Sequence, residues 1–416
     1  DIAGVLAACA EHRVAVVPFG GGTSVVGGVE PARGGLDAVI ALDLARLDRL
    51  VDVDPVSRTA TLEAGVLAPR AEELLAEHGF TLGHAPQSFE RATIGGFAAT
   101  RSAGSLSTGW GRFDDMVERV RAVTPVGVLD LGRAPGTAAG PDLRQLVLGS
   151  EGAFGVITQV TVRVRPIPEV RRHEGWRVAS FAEGAALLRR LVQDGPVPDM
   201  ARLSDETETA LGVATAGEEA GDGCLMIVGW EGRADDVEAR AAGLAAILRD
   251  AGAQELGPDA AASWQRGRFR GPRLRDELLR EGMITETLET STIWRDLELV
   301  HGAVGEAVRG ALDGASPVVA CHISHLYPAG ASLYFSVLAR RADEDPEGPW
   351  LRAKRAAGDA LAAAGATITH HHAVGIDHAP WMTAEVGAVG VDLLRAVKAH
   401  LDPGFILNPN KLIPHT

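Results

Sequence analysis

The sequence predicts an α+β protein of two domains, and three observations lead to this prediction. The chain has 416 residues, more than one ordinary hydrophobic core accommodates. Short apolar runs alternate with glycine turns up to about Pro168, whereas the stretch from about Glu169 to Asp345 mixes helical periodicity with strand-like runs. Hydrophobic residues make up 46% and charged residues 23% of the chain, so we expect ordinary globular domains.

Residues 1–168 are predicted to form a first domain of helices, strands and tight turns. Its strands are expected in AVVPFGGGTS, AVIALDL, RTATLEAG and GVITQVTVRVRP. A helix is predicted from Leu67 to His78, because Gly79 is a residue type that commonly follows a helix. The chain begins without Met and inside a predicted helix, so we expect that residues upstream are missing.

Residues 169–364 are predicted to form an α+β domain with an antiparallel sheet. FAEGAALLRRLVQDG and DDVEARAAGLAAILRDAG have helical periodicity, and CLMIVGWEG and SLYFSVLAR resemble strands. A helix from Pro349 to Ala364 ends this domain. Residues 365–416 form a third segment, with ATITHHHAVG, a helix through Val391 to His400 and the tail LDPGFILNPNKLIP.

Charge and cysteine content exclude several classes of protein. The formal net charge is −15, and a chain without a basic excess is not expected to bind nucleic acid. No apolar run reaches about 18 residues, so we expect no transmembrane segment. The N-terminus does not have the pattern of a signal peptide. Cys9, Cys224 and Cys321 lie far apart, which favours buried free thiols and a cytoplasmic protein.

Three glycine-rich turns indicate a binding site for an extended dinucleotide. FGGGTSVVGG directly follows a predicted strand, and consecutive glycines let several backbone N–H groups face one anion. A single such run is more often a plain turn. It is also not GxGxxG before a helix, so a Rossmann site is not expected. PQSFERATIGGFAATRSAGS and GSEGAFGVIT supply the second and third turns.

The phrases PFGGGTSVVGG, PQSFERATIGGFAATRSAG, GSEGAFGVITQVTVRVRP and NPNKL resemble the FAD-binding domain of the vanillyl-alcohol oxidase and p-cresol methylhydroxylase flavoproteins. The resemblance covers essentially the whole chain. It implies an α+β fold in which an FAD-binding domain of the p-cresol methylhydroxylase type is joined to an α+β cap domain with an antiparallel sheet. The C-terminal segment would return to the flavin cleft.

The same resemblance implies one FAD. Some relatives carry a flavin-bonded histidine just after the first glycines, where this chain has Thr23 and Ser24, so the FAD is expected to be non-covalent. The residues that the resemblance places around FAD are Pro18, Gly20, Gly21, Gly22, Thr23, Ser24, Pro86, Gln87, Ser88, Thr93, Gly95, Gly96, Thr100, Arg101, Ser102, Glu151, Gly155 and Ile157.

Four more phrases, ARLSDETETALG, GMITETLETSTIW, SHLYPAGASLYFSV and ITHHHAVG, are similar to the alkyldihydroxyacetonephosphate synthase subgroup of this family. That similarity implies exchange of acyl for alkyl on a ketone phosphate through a flavin N5 adduct. Two alternatives remain open: an FAD-linked oxidase or dehydrogenase of a 2-hydroxy acid or alcohol, and a non-catalytic FAD-binding protein. The substrate is expected to be a small molecule carrying a phosphate or carboxylate, and the prediction allows a homodimer.

His370, His371 and His372 are the first candidate catalytic residues. On a strand, His370 and His372 would share one face and His371 would lie on the other. Imidazole titrates near neutral pH and suits proton removal, and the resemblance implies that the cluster belongs to the active site. A solvated loop or a metal-binding patch is the alternative. The sequence leaves open which ring is the base.

The subgroup resemblance also matches Tyr334 and Arg202 to active-site residues. Tyr334 is one of two tyrosines in the chain, and its alternative role is that of a half-buried strand residue with its hydroxyl in water. The alternative for Arg202 is an ion pair with Asp205 or Glu206.

Arg275 matches a second subgroup arginine and is predicted to contact an anionic group of the substrate through its guanidinium. A solvated face is the alternative for this basic stretch, which contains Arg266, Arg268, Arg270, Arg273, Arg275 and Arg280.

His322 and His325 have a spacing that is common among metal ligands, but residues three apart on a strand face opposite ways. Related 2-hydroxy-acid dehydrogenases bind a divalent metal through histidines and a glutamate. By resemblance, Tyr334 and His371 stand where a histidine and a glutamate are expected, so we predict no catalytic metal.

Overall fold

The computed structural model describes residues 1–216, 222–267, 271–341 and 344–414. Arg268 and Arg270 of the basic stretch lie outside the described residues. The helices, in chain order, are α1 (Ile2–Glu11), α2 (Ala68–Ala76), α3 (Ile94–Thr100), α4 (Ser107–Trp110), α5 (Phe113–Met116), α6 (Arg144–Val147), α7 (Phe181–Asp194), α8 (Glu206–Ala216), α9 (Ala234–Asp250), α10 (Pro258–Gly267), α11 (Gly271–Arg280), α12 (Leu297–Ala311), α13 (Gly348–Ala363) and α14 (Met382–Leu401).

The strands are β1 (Val14–Phe19), β2 (Ala38–Asp43), β3 (Leu50–Asp54), β4 (Thr59–Glu63), β5 (Phe80–Thr81), β6 (Val117–Thr124), β7 (Gly127–Leu131), β8 (Val156–Arg163), β9 (Arg165–Pro166), β10 (Val170–Val178), β11 (Met200–Ser204), β12 (Cys224–Gly232), β13 (Gln254–Gly257), β14 (Met283–Ile293), β15 (Val318–Ile323), β16 (Leu326–Tyr327) and β17 (Gly330–Arg340).

The chain divides into two compact units. Unit 1 comprises Asp1–Gly104, Gly111–Ile167 and the residues from His371 onward, and unit 2 comprises Ser105–Trp110 and Pro168–His370. The division therefore falls between His370 and His371, within the triple histidine. Each unit has its own cluster of buried apolar residues, as independently cored domains do.

Unit 1 is built on an antiparallel five-stranded sheet in the order β3-β4-β8-β6-β7. Its buried positions alternate along β4 and β8, because one face of the sheet packs on the core. A separate parallel pair joins β1 to β2, and the first glycine turn directly follows β1. The C-terminal segment also pairs with β1: Ile406 O accepts from Val16 N, and Val16 O accepts from Asn408 N.

Helix ends in unit 1 follow from local sequence. Helix α2 begins with Pro69 in its first turn, and Gly79 has φ +78° shortly after its end, so the predicted helix over 67–78 is confirmed with slightly shorter bounds.

At the end of α14, Lys398 and Asp402 form a buried ion pair at 2.7 Å, and Lys398 Nζ also donates to Ala153 O.

Unit 2 contains an antiparallel sheet in the order β13-β10-β12-β11-β15-β17-β14, with β16 paired to β17. The pair β14–β17 is in register along eleven residues, including Glu289 opposite Tyr334. Helices α12 and α13 pack against each other, and the buried side chains of both belong to the core of this unit. Within the described parts of the chain, no helix combines the length and apolar character that crossing a membrane requires.

Candidate functional site

The three glycine-rich turns of the sequence lie together in unit 1. A Cβ on Gly20 would lie 2.5 Å from Thr93 Oγ1, and a Cβ on Gly21 would overlap the carbonyl oxygen of Arg91, so the first and second turns touch through their backbones. A Cβ on Gly152, in the third turn, would lie 2.7 Å from Cγ of Pro18. Side chains at these glycines would separate the three turns.

The backbone of the first turn fits a diphosphate. Within the described part of the chain, the N–H groups of residues 20–24 donate no hydrogen bond to another protein group. Gly22 has φ +64°, and Gly22 and Thr23 are exposed. Ser24 Oγ shapes the turn by accepting from Gly28 N at 2.9 Å. Consecutive N–H groups bind anions without a cationic side chain, so the residues present fit a dinucleotide pyrophosphate in an acidic protein.

Thr93, Gly95, Gly96 and Thr100 build the short helix α3 of the second turn. Thr93 caps the helix, with its Oγ1 accepting from Gly96 N at 3.1 Å, and Thr100 Oγ1 donates to Gly96 O at 2.9 Å. A Cβ on Gly95 would lie 2.6 Å from Cβ of Ala64. Small residues therefore let this helix approach the strand region closely.

Pro86, Gln87 and Ser88 form the tight turn that precedes α3. The carbonyl of Pro86 accepts from Phe89 N at 3.1 Å, and that of Ser88 accepts from Arg91 N at 3.0 Å. Gln87 is exposed. The turn thereby presents Arg91 O to Gly21.

Arg101 and Ser102 end α3, and both make contacts within the protein. Arg101 has φ +52°, and its guanidinium donates to the carbonyls of Leu148 and Gln145. Ser102 Oγ lies 3.0 Å from His84 Nε2. Arg101 thus ties the second turn to the third, and its expected contact with the cofactor stays a prediction.

Glu151 is buried and connects the third turn to the chain after the histidines. Its Oε2 accepts from Val374 N at 3.1 Å and Gly375 N at 2.8 Å. Burial raises the pKa of Glu151 to about 7, against the opposing effect of these two hydrogen bonds. Further along, Gly155 precedes β8, and Ile157 lies in the core of the unit.

Sequence reasoning missed His84. The ring is buried, with Phe97 and Phe113 edge-on at centroid distances of 4.7 and 5.3 Å. Burial, and secondarily His371, lowers the pKa of His84 to about 3, so the ring is neutral near pH 7. A single histidine in GHAPQS does not indicate a buried, neutral ring, because both of its aromatic neighbours lie downstream in the chain.

The expected strand geometry of the triple histidine is wrong. The residues around it, 366–375, form bends and turns, because the N–H of His370 donates to the carboxylate of Glu289 at 2.7 Å instead of to a strand partner. His370 is buried in unit 2, whereas His371 and His372 are half-buried in unit 1 with their rings 4.8 Å apart and edge-on.

His370 is held on several sides within unit 2. Tyr327 and His370 are hydrogen-bonded through the phenol oxygen and Nε2 at 2.5 Å, and the His325 ring stacks on the His370 ring at 5.0 Å. Glu289 is buried and also accepts from Thr369 Oγ1. Tyr327 and Glu289 were missed although both lie in phrases singled out in the sequence, because an isolated tyrosine or glutamate on a strand gives no further signal.

Arg202 is ion-paired, but not with the partners that the sequence suggested. Its Nη2 lies 3.0 Å from Oε1 of Glu208, which is in the first turn of α8. Asp205 instead accepts from Cys321 N, and Glu206 accepts from Phe181 N. Glu208 had no place in the prediction because helical phase alone does not say which face of α8 meets β11.

Tyr334 lies on β17 with its ring stacked on His322 at 4.8 Å and 23°. Burial raises the pKa of Tyr334 to about 12, so the phenol keeps its proton near pH 7. His322 belongs to the Arg202 group, whereas His325 packs on His370. The two histidines therefore face different neighbours.

Arg275 is exposed on α11, and its Nη2 donates to Glu286 Oε1 at 2.6 Å. Its predicted contact with a substrate anion stays a prediction.

Comparisons with known proteins identify the family of the chain. Residues 167–412 match the family model for the C-terminal domain of FAD-linked oxidases, and residues 1–132 match a model for an FAD-binding domain. The chain is 34% identical to the alkyldihydroxyacetonephosphate synthase of Trypanosoma brucei brucei, across 100% of this chain and 72% of that protein.

Two solved structures resemble the fold. A structure of an alkyldihydroxyacetonephosphate synthase has a TM-score of 0.81 and 28% identity, covering 99% of this chain and 75% of that chain. A structure of p-cresol methylhydroxylase has a TM-score of 0.75 at 16% identity, covering 99% of this chain and 86% of that chain, and shows the fold alone.

These comparisons confirm the predicted fold class, the FAD cofactor and enzymatic activity, and they exclude the alternative of a non-catalytic FAD-binding protein. The chain belongs to the FAD-linked oxidase family, in which it is an FAD-dependent enzyme similar to the alkyldihydroxyacetonephosphate synthases.

Proposed function

We propose that this enzyme exchanges the acyl group of an acylated ketone phosphate for the alkyl group of a fatty alcohol. The observation that supports it most is the 34% identity to an alkyldihydroxyacetonephosphate synthase across the full length of this chain. The proposal assigns Arg202, Tyr334 and the triple histidine to the reaction, since they lie in the phrases that resemble that subgroup. When bound, FAD provides an electrophilic ring toward the substrate carbon.

In unit 1, the first glycine turn would hold the FAD pyrophosphate through its backbone N–H groups. His371 would take the proton from the substrate carbon, since its imidazole is half-buried in this unit and imidazole is the most frequent general base of enzymes. His84 contributes no positive charge, because its pKa is about 3. A neutral neighbour leaves His371 able to become cationic when it accepts a proton.

In unit 2, Tyr334 would donate a hydrogen bond to the oxygen of the departing acyl group. A phenol with a pKa of about 12 remains a donor across the physiological range. Arg202 would orient the substrate through guanidinium N–H groups, with its charge balanced by Glu208.

The alternative function is oxidation of a 2-hydroxy acid or alcohol. It is favoured by the family model that spans residues 167–412, which is named for FAD-linked oxidases. His371 would then take the hydroxyl proton, and FAD, when bound, would supply the hydride acceptor.

An assay of the FAD-loaded full chain separates these functions. We expect the protein to convert an acylated ketone phosphate and a long-chain alcohol into an ether product detected by mass spectrometry, with release of the fatty acid. Anaerobic absorbance spectra with hydroxy acids are expected to show no bleaching of the flavin. Bleaching by a hydroxy acid that air restores, without ether product, would contradict the transferase function and support the oxidase.

The base assignment has its own test. His371→Ala is expected to lower turnover by roughly 10²-fold or more, the usual contribution of a general base, while bound FAD is retained. His400→Ala, at an exposed histidine of the same unit, is the matched control. Full activity of His371→Ala would exclude His371 as the base.

A further inference from the structure

A partly buried triangle of side chains lies beneath Tyr334 in unit 2. Arg202 Nη2 is 3.0 Å from Glu208 Oε1 and 3.0 Å from His322 Nδ1, and His322 Nδ1 is 2.9 Å from Glu208 Oε1. Three different elements supply these residues: β11, α8 and β15. Their convergence is a feature of the tertiary structure and has no local sequence pattern.

Asp205 determines where this triangle forms. Its Oδ1 accepts from Glu208 N at 2.7 Å, which starts α8, and its Oδ2 accepts from Cys321 N at 2.9 Å on the neighbouring strand β15. Because β11 and β15 are paired with Ser204 opposite His322, the first turn of α8 brings Glu208 over both strands. The buried carboxylate of Asp205 thus brings the carboxylate of Glu208 to Arg202 and His322.

The protonation states of the triangle follow from burial and charge. Burial lowers the pKa of His322, so the imidazole is neutral and carries one proton. Burial alone would raise the pKa of Glu208, but Arg202 and His322 hold it well below its usual range, so Glu208 is a carboxylate. A carboxylate oxygen 2.9 Å from Nδ1 requires a proton between them, since two lone pairs repel at that distance. His322 therefore donates Nδ1–H to Glu208, and its 3.0 Å approach to Arg202 Nη2 is then a contact between two donors that Glu208 Oε1 bridges, not a hydrogen bond.

His322 transmits this arrangement to Tyr334. The two residues are directly paired across β15 and β17, and their rings stack at 4.8 Å. Rotation of the His322 ring is restricted by its bond to Glu208, so the face offered to the phenol is fixed. The carboxylate of Glu208 therefore restricts both the guanidinium of Arg202 and, through His322, the ring of Tyr334.

We infer that Glu208 and His322 are positioning residues, which fix the guanidinium of Arg202 and the ring plane of Tyr334 for the reaction. The inference rests on the proposed roles of Arg202 and Tyr334. Glu208 acts directly on Arg202, and it acts on Tyr334 through His322. Preorganised side chains of this kind contribute to turnover more than to substrate affinity, because a misplacement of about 1 Å costs on the order of 10²-fold in rate.

The main test compares Glu208→Gln with Glu255→Gln. Glu208→Gln keeps the size of the side chain and removes its charge, and we expect kcat to fall roughly tenfold to a hundredfold while KM changes less than about threefold. Glu255→Gln also breaks an Arg–Glu pair of unit 2, but an exposed one at 2.6 Å to Arg249, and is expected to leave kcat unchanged. FAD content should match the parent protein in both variants. The urea midpoint is expected to fall in Glu208→Gln, because Arg202 loses its counter-charge, so kcat is compared without urea under conditions in which both variants are fully folded.

A second measurement does not depend on knowing the substrate. The protein has two tyrosines, so ¹³C-labelled tyrosine gives two signals, which Tyr327→Phe assigns. The Tyr334 signal is expected to shift in Glu208→Gln and in His322→Ala, and to stay closer to the parent position in His322→Phe, which keeps a ring beneath the phenol. Glu255→Gln should shift neither signal.

The outcomes separate this inference from the proposed function. If the parent protein turns over neither substrate class, the proposed function fails, and the Tyr334 signal still tests the positioning. An unchanged kcat or an unshifted Tyr334 signal in Glu208→Gln overturns the inference. A loss of bound FAD, or of folded protein under the assay conditions, that accounts for the fall in kcat also overturns it, because Glu208 would then serve stability alone.

Discussion

The glycine turns of unit 1 and the charged triangle of unit 2 place polar groups in opposite ways. Unit 1 uses backbone N–H groups of the first glycine turn. This turn packs so closely on the second that a side chain at Gly20 or Gly21 would not fit. Unit 2 uses Arg202, Glu208 and His322, a partly buried group in which the charges of Arg202 and Glu208 balance each other. The first arrangement is therefore sensitive to added volume, and the second to changed charge.

The largest expected effect concerns Glu151, an ionisable group within the backbone-based region. Its folded-state pKa of about 7 is above the usual carboxyl value, so the folded protein binds the extra proton, and the stability it contributes is present below about pH 4.5. That contribution is lost as the pH rises through 7 and amounts to about 3 kcal/mol in the free energy of unfolding.

Urea midpoints of the FAD-loaded protein and of Glu151→Gln, measured from pH 4.5 to 8, test this. The difference between the two proteins should change in favour of Glu151→Gln as the pH rises, because the amide still accepts from Val374 N and Gly375 N without ionising. A pH-independent difference would show that Glu151 is charged throughout, and the contrast between the units would then be smaller than described.

The next largest effect tests whether the glycine turns of unit 1 are sensitive to added side-chain volume. In Gly21→Ala, the new Cβ overlaps the carbonyl of Arg91, and overpacking against backbone costs roughly 1–3 kcal/mol. We expect FAD affinity to fall about tenfold to a hundredfold, measured by fluorescence titration of the apoprotein. Gly4→Ala is the control, since no described atom lies within 4 Å of a Cβ at Gly4. Equal FAD affinity in both variants would contradict the close contact of the turns.

The smallest expected effect is the loss of an exposed ion pair, which measures how little a solvent-screened charge contributes to stability. Arg119 and Asp130 form an exposed pair at 2.6 Å in unit 1. Solvent screens such pairs, so Arg119→Ala is expected to cost less than about 1 kcal/mol in unfolding free energy, measured by urea denaturation. A larger loss of unfolding free energy would mean that an exposed ion pair contributes as much to stability as the partly buried pair of Arg202 and Glu208.

The sequence allowed prediction of features that are local and missed those that depend on distant contacts. The glycine turns and helix α2 could be recognised because a few consecutive residues determine their backbone. Glu208 and His322 are 114 residues apart, and nothing in either neighbourhood indicates the other. The histidine segment was expected to be a strand because its backbone partner was unknown; that partner is the side chain of Glu289, 81 residues earlier.

The pairing of β1 with the C-terminal segment has a consequence for biosynthesis. Val16 bonds with Ile406 and Asn408, and the Asn408 amide also donates to Gly28 O, 380 residues away along the chain. Because synthesis proceeds from the N-terminus, the strand that leads into the first glycine turn acquires these neighbours only after residues 406–408 have emerged from the ribosome. We therefore expect a nascent chain that lacks residues 406–408 to retain flavin at this turn less well than a chain that includes them.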